Sequence, residues 1–178
     1  MMQNIFLRFA KHLVSHRWQV KRYFSDISLH NIEKAIEASE SQHQGEICFV
    51  VEAGIHPYDI IQKKSPRKRA LEVFSRLHIW DTEDNNGVLI YLLLADRDVE
   101  IVADRGIHNL IGNENWSAIC SEMEVMFLRG HFEAGVLYGV SKIGTLLQQH
   151  FPLDDTKKTT PTMTKKSRNE ISNKPVIL

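Results

Sequence analysis

The stretch GVLIYLLLA, Gly87 to Ala95, constrains the fold more than any other part of the chain. It is apolar on both alternating faces and short for a helix, so it predicts a strand covered on two sides. Asp96 and Arg97 follow as turn residues. Beyond them Val99, Ile101 and Ala103 alternate with Glu100 and Asp104, which is the period of a strand. Together these segments predict an antiparallel hairpin. EICFVVEA, Glu46 to Ala53, is another short, β-branched, apolar run. A helical pattern separates it from the hairpin, and a right-handed crossover through that helix makes it parallel to the strand from Gly87.

The remaining segments carry helical periodicity. Ser65 and Pro66 supply an N-cap and a first-turn proline ahead of Ala70, Val73, Phe74 and Leu77, after a loop containing Pro57. Asp26 or Ser28 caps a helix whose Ile32, Ala35, Ile36 and Ser39 share a face, with Gly45 at its end. Trp116, Ile119, Cys120, Met123 and Phe127 share a face before Gly130, and Phe132, Val136, Leu137, Val140, Ile143 and Leu147 share one after it. With 178 residues and 43% hydrophobic content, this material makes one core rather than two. No apolar run reaches the roughly 18 residues of a membrane-spanning helix.

Zero net charge conceals an asymmetry: residues 1–30 carry +4, residues 152–178 carry +3, and the middle carries −7. Ile5, Phe6, Phe9, Leu13 and Trp18 lie near helical spacing among Arg8, Lys11, Arg17, Lys21 and Arg22, so residues 1–28 read as a basic amphipathic segment. Such a stripe packs on the domain, or it makes a weak contact with an anionic membrane surface. The ordered α/β domain is expected over 29–151. Residues 152–178 are too polar to offset their ordering entropy and are expected to form a flexible basic tail. The N-terminus has no secretory signal core, so the cytoplasm is the expected location, peripheral at a membrane if the first segment binds one.

The hairpin carries the candidate chemistry. Pairing across the Asp96-Arg97 turn brings Asp84 to Asn86 alongside Asp104, and the parallel strand adds Glu46 to the same sheet edge. Gathering Asp81, Asp84, Asp104 and Glu46 is unfavourable unless water, Arg105 or a cation screens them, and such oxygen ligands suit Ca2+ or Mg2+. These four are the candidate metal ligands. Asp96-Arg97-Asp98 has the look of an acid pair, but a tight turn explains its composition. No nucleophile elbow, His-Glu-x-x-His helix, Cys-x-x-Cys pair or Gly-rich phosphate loop is present. His12 and His16 stand one helical turn apart with no third ligand in view. Cys48 and Cys120 sit in apolar contexts and read as small buried hydrophobes. Lys63, Lys64, Arg67, Lys68 and Arg69 read as a solvated basic face; without interleaved aromatics, on an acidic domain, they predict no nucleic-acid partner.

The order DNNGVLIYLLLADRDVEIVADRGI, then a helix, then GHFEAGVLYGVSKIGTLL resembles the TPM domain, named for plant thylakoid proteins of photosystem maintenance and an animal receptor modulator. The likeness spans roughly Asn31 to Phe151. Its most specific parts are Asn86-Gly87-Val88-Leu89, the Asp96-Arg97 turn, and Gly130 with Gly135. The resemblance implies a three-layer α/β/α sandwich with a small mixed sheet, a divalent ion in some members, a phosphatase activity proposed for plant relatives, and work beside membrane complexes. Where many members read Gly-x-Gly-Leu-Glu after the third strand, this chain has Asp104, Arg105, Gly106, Ile107 and His108, so a Glu that metal or catalytic chemistry would use is missing. The membrane anchor of many members has no counterpart in the expected elements. Two functions follow as expectations: a non-enzymatic module that binds a protein partner near a membrane surface, and, alternatively, a divalent-cation-dependent phosphohydrolase.

Overall fold

The computed structural model describes residues 5–15, 17–153 and 170–178. At its centre lies a four-stranded mixed sheet of β1 (Glu46–Glu52), β2 (Gly87–Leu93), β3 (Asp98–Ala103) and β4 (Val176–Ile177), in the order β3-β2-β1-β4. β1 and β2 are parallel, from Glu46 opposite Gly87 to Glu52 opposite Leu93. β2 and β3 are antiparallel, from Val88 opposite Ala103 to Leu93 opposite Asp98. Both pairings are those expected from the sequence. The hairpin turns through Asp96 and Arg97, with Arg97 at φ 54°.

In chain order the helices are α1 (Ile5–Leu13), α2 (Arg17–Tyr23), α3 (Asp26–Glu40), α4 (Pro57–Ile61), α5 (Pro66–Arg76), α6 (Arg105–Ile111), α7 (Asn113–Leu128) and α8 (Phe132–His150). The strands alternate between two buried clusters, as a sheet covered on both faces requires. Ile47, Phe49, Val51, Val88, Ile90 and Leu92 join the stripes of α3, α7 and α8. Cys48, Val50, Leu89, Tyr91 and Leu93 join Ile60 of α4 and Ala70 and Val73 of α5. The result is the three-layer α/β fold. α8 approaches α7 through Gly135 and Gly139, where a Cβ would lie 2.5 Å from the Phe127 ring and 2.5 Å from Met123 Sδ.

The ends differ from the expectation. The N-terminal stripe is broken into two helices, because Ser15 closes α1 by donating its N–H to the His12 carbonyl and its hydroxyl to that of Lys11. His12, Val20 and Phe24 are buried, whereas Leu13 and Trp18 are 55% and 62% exposed. The Ile5 and Phe6 side chains and His16 lie outside the described residues. Ser25, rather than Asp26 or Ser28, caps α3, accepting from Ser28 N at 3.1 Å. That helix ends at Glu40, and Gly45 instead makes room for Leu147, which a Cβ there would meet at 2.8 Å. α4 forms within the segment expected as a loop.

The tail expectation is corrected over 170–178. β4 pairs in parallel with β1, and Ile171, Val176 and Leu178 pack against the cluster on the α5 side of the sheet. Burial of these three side chains offsets part of the ordering entropy that the segment's polar composition leaves uncovered. Residues 154–169 of the expected tail lie outside the described residues. No helix among the described residues is long and apolar enough to cross a membrane.

Candidate functional site

The entrances of β1 and β2 and the exit of β3 meet at one rim of the sheet, tied together by the Asn86-Gly87 pair. Thr82 Oγ1 accepts from Asn86 N at 3.0 Å, closing a tight turn in which Asn85 has φ 50°. Asn86 Nδ2 then donates to the Gln44 carbonyl, and the Asn86 carbonyl accepts from Glu46 N at 3.0 Å. Asp104 N donates to the Gly87 carbonyl at 2.9 Å. A side chain is excluded at Gly87, since a Cβ would lie 2.0 Å from the Ile79 carbonyl oxygen. The hairpin therefore brings Glu46, Asn86 and Asp104 to one rim.

The four candidate ligands do not form a cage there. Glu46 is 6% exposed, and its carboxylate accepts from Glu170 N at 3.1 Å and Ile171 N at 2.7 Å. Burial raises its carboxyl above the usual range despite those bonds. Asp104 caps α6 through Oδ1, which accepts from Arg105 N at 2.6 Å. Its Oδ2, like Asn86 Oδ1, is buried without a hydrogen-bond partner among the described residues. Asp81 and Asp84 are exposed in the preceding loop. Among the described residues no three of Asp, Glu, His and Cys converge as an ion would need. As a four-carboxylate site, the residues do not fit a divalent cation.

Next to Asp104 a groove of about 590 Å³ opens between α5, β3 and α6. Leu71, Phe74, Val102 and Ala103 form its apolar part, and Asn85, Asp104, Arg105 and Asn109 its polar end. The register with β2 turns the backbone of Val99, Ile101 and Ala103 toward the outer edge of the sheet. Glu124 Oε1 accepts from Val99 N at 3.5 Å, and Arg67 Nη1 donates to the Ile101 carbonyl at 2.5 Å. Side chains thus cover this edge at Val99 and Ile101, and at Ala103 it reaches the groove.

Two arrangements were not foreseen. The basic start of α5 is not a fully solvated face. Lys64 pairs with Asp59 at 2.7 Å and Glu72 at 2.9 Å, while Arg69 holds Glu52 through Nη2 at 2.8 Å and Nε at 2.9 Å. Of the five bases, Lys63 and Lys68 remain exposed. The available signal was Glu52, an acid closing an apolar strand in a chain whose next long helix starts with bases. On the opposite layer Ser39 Oγ lies 3.0 Å from His43 Nε2, beside a cavity of about 320 Å³ between α3 and α8. Burial lowers His43 to about 4. Ser39 lies within α3, whose backbone amides are engaged in helical hydrogen bonds. Burial also pushes the Cys48 and Cys120 thiols up to about 12, consistent with structural roles.

The chain resembles the BA42 protein from the psychrophilic bacterium Bizionia argentinensis, whose structure was solved by NMR. The two share 26% identity at a TM-score of 0.67, over 87% of this chain and 95% of that one. No curated protein matches. The profile of the TPM domain matches residues 20–146, starting within α2 and ending within α8, and so takes in the rim, the groove and three of the four strands. The chain belongs to the TPM domain family.

Proposed function

We infer that this TPM domain works as a non-catalytic interaction module whose docking site is the groove between α5, β3 and α6. The observation that carries this reading is the groove's layout: an apolar wall in which Leu71 is 48% exposed, the sheet edge at Ala103, and a polar end at Asn85 and Asn109. Such a layout suits an extended protein segment, which takes backbone hydrogen bonds from a strand edge and specificity from side-chain pockets. The test is capture from soluble and membrane fractions with the full chain and its Leu71→Asp variant as baits. A partner held by the first and lost by the folded second is expected; equal capture by both would remove the groove from the function.

The α1–α2 surface supports action near an anionic membrane. Leu7, Leu13, Val14 and Trp18 are 55% to 62% exposed, and Lys11, Arg17, Lys21 and Arg22 are exposed beside them. Apolar and basic groups mixed in this way favour an anionic interface. Sedimentation with phosphatidylserine vesicles should carry the protein down, and Trp18→Ser should weaken that binding. Equal binding to neutral vesicles would count against it.

A second reading, the divalent-cation-dependent phosphohydrolase, has one observation in its favour: the buried oxygens Asp104 Oδ2 and Asn86 Oδ1 at the rim, which have no hydrogen-bond partner among the described residues. In this reading one carboxylate and one amide oxygen, in place of the four carboxylates, would hold Ca2+ or Mg2+ with water at its remaining positions, and the ion would supply charge for phosphate binding. Titration with both ions, followed residue by residue by NMR, should move the Asn86 and Asp104 amides, and Asp104→Asn should abolish any phosphate-ester turnover. Unmoved amides in both titrations would end this reading.

A further inference from the structure

The C-terminal segment is bound to the domain in the manner of a ligand. Val176 and Ile177 add in parallel to Val50 and Val51, and Leu178 N donates to the Val51 carbonyl at 3.0 Å. Upstream, the Glu46 carboxylate clasps the amides of Glu170 and Ile171, while the Glu170 carboxylate accepts from Glu83 N at 3.1 Å. Arg17 Nη2 donates to the Ile177 carbonyl at 2.7 Å. Removing the segment would leave the outer edge of β1, a strand buried along its whole length, with unpaired amides and carbonyls, which is a template for another strand.

The length of the tether points to what else fills that edge. Before it, the Phe151 carbonyl accepts from Gln44 N at 2.9 Å and the Pro152 carbonyl from Gln44 Nε2 at 2.7 Å. After it, Glu170 is held by Glu46. The residues that hold the two anchors, Gln44 and Glu46, are only two apart along the chain, so a link of a few extended residues, on the order of 10–14 Å, is enough to join them. The sequence instead has sixteen, 154–169, rich in Lys and Thr, whose full extension is about 55 Å. That surplus is unnecessary for binding in cis and is enough to reach another molecule.

We propose that the outer edge of β1 is a strand-acceptor site, filled by Glu170–Leu178 of the same chain and, at high concentration, by the same segment of a second copy. Reciprocal exchange about a two-fold axis leaves neither β1 edge open, so it closes at a dimer. Because the strand contacts are identical in the two forms, the balance follows protein concentration relative to the tether's effective concentration, on the order of 1 mM.

The test uses the full chain. Sedimentation velocity up to about 1 mM should show a dimer fraction rising with concentration. Deleting residues 157–167, which leaves a tether long enough for cis pairing, should lower that fraction at least about tenfold. In parallel, a fluorescent peptide of sequence EISNKPVIL should bind the Ile177→Asp chain at least about tenfold more tightly than the native chain, whose edge is already occupied. A native chain that stays monomeric at the highest concentration, or a dimer unaffected by the deletion, would overturn the proposal. So would a folded Ile177→Asp chain that binds the peptide no better than the native one does.

Discussion

Tyr91 Oη donates to Glu52 Oε2 across 2.5 Å, joining neighbouring strands through a side chain on the α5 side of the sheet. The same carboxylate takes two bonds from Arg69, and Glu52 is only 7% exposed. A buried carboxylate with one partner removed keeps its desolvation cost and loses its compensation. Arg69→Ala should therefore destabilise the domain by about 3–5 kcal/mol. Tyr91→Phe, which leaves the arginine in place, should cost about 1.5–3 kcal/mol. Urea unfolding of both variants and the double variant measures the two costs and their coupling. Additive effects would show that the three groups do not act as one network.

Glu40 gives the domain a pH dependence of definite sign. Burial first, and the neighbouring Glu46, raise its carboxyl to about 8 from 4.5, although Ile47 N donates to it at 2.7 Å. The folded state therefore binds more protons than the unfolded state between those values. Its contribution is fully present below about pH 4.5 and is lost as pH rises through about 8. His43, lowered to about 4 from 6.5 by burial, acts oppositely: its contribution is present above 6.5 and lost as pH falls through 4. Glu40→Gln keeps an acceptor for Ile47 N and removes the charge, so it should stabilise the domain at pH 8 by on the order of 2 kcal/mol and leave pH 4 nearly unchanged. Denaturation midpoints across that range check this; a parallel offset at every pH would contradict it.

What was legible in the sequence is what local periodicity and connection rules determine. The two-sided apolarity of Gly87–Leu93, the turn at Asp96-Arg97 and the helical crossover were sufficient to set three strands in their observed directions. The stripes of α7 and α8 were equally plain, because Trp116, Met123, Phe127, Val136, Val140 and Leu147 repeat over many turns. β4 was not legible, since two residues offer no period and EISNKP ahead of them reads as polar linker. The rim was half legible: topology brought Glu46 and Asp104 together, but the side-chain occupations depend on long-range partners. Glu46 is engaged by amides 124 and 125 positions away, which no motif encodes. The burial of His12 has no local signal either, because its partners, Ile55 N and Asp96, lie far along the chain.

Gly87 should tolerate no side chain. Its Cβ would lie 2.0 Å from a backbone oxygen, that of Ile79, and 3.0 Å from Ile79 Cγ2, so relief requires the 79–86 loop to move. That loop carries the Asn86 bonds to Gln44 and Glu46, so the shift would disturb all three strand ends at once. Gly87→Ala should cost about 3 kcal/mol, at the upper end for overpacking. Gly106→Ala serves as the control, because its nearest contact to an added Cβ is the Asn85 carbonyl at 3.7 Å. Thermal unfolding of the two variants separates them; equal midpoints would refute the steric argument.

The attachment of α1 depends on His12. Its Nδ1 accepts from Ile55 N at 3.0 Å, so the ring proton resides on Nε2, which faces Asp96 Oδ1 at 3.1 Å. Arg8 Nε completes the contact with Asp96 Oδ2 at 2.9 Å. Burial opposes the charge on Asp96, but the His12 hydrogen bond and the Arg8 charge outweigh it and hold the carboxyl below its usual range. A nine-residue helix is unstable alone in water, so α1 stays helical only while it is docked. His12→Ala leaves Ile55 N and one carboxylate oxygen without a partner and should loosen α1 by about 1–3 kcal/mol. The expected signature is local: trypsin cuts at Arg8 and Lys11 more than tenfold faster, and amide exchange rises over 5–15, while the core amides of β1 and β2 keep their protection. Faster exchange throughout the sheet would show instead that α1 is an integral part of the folding unit rather than a docked element.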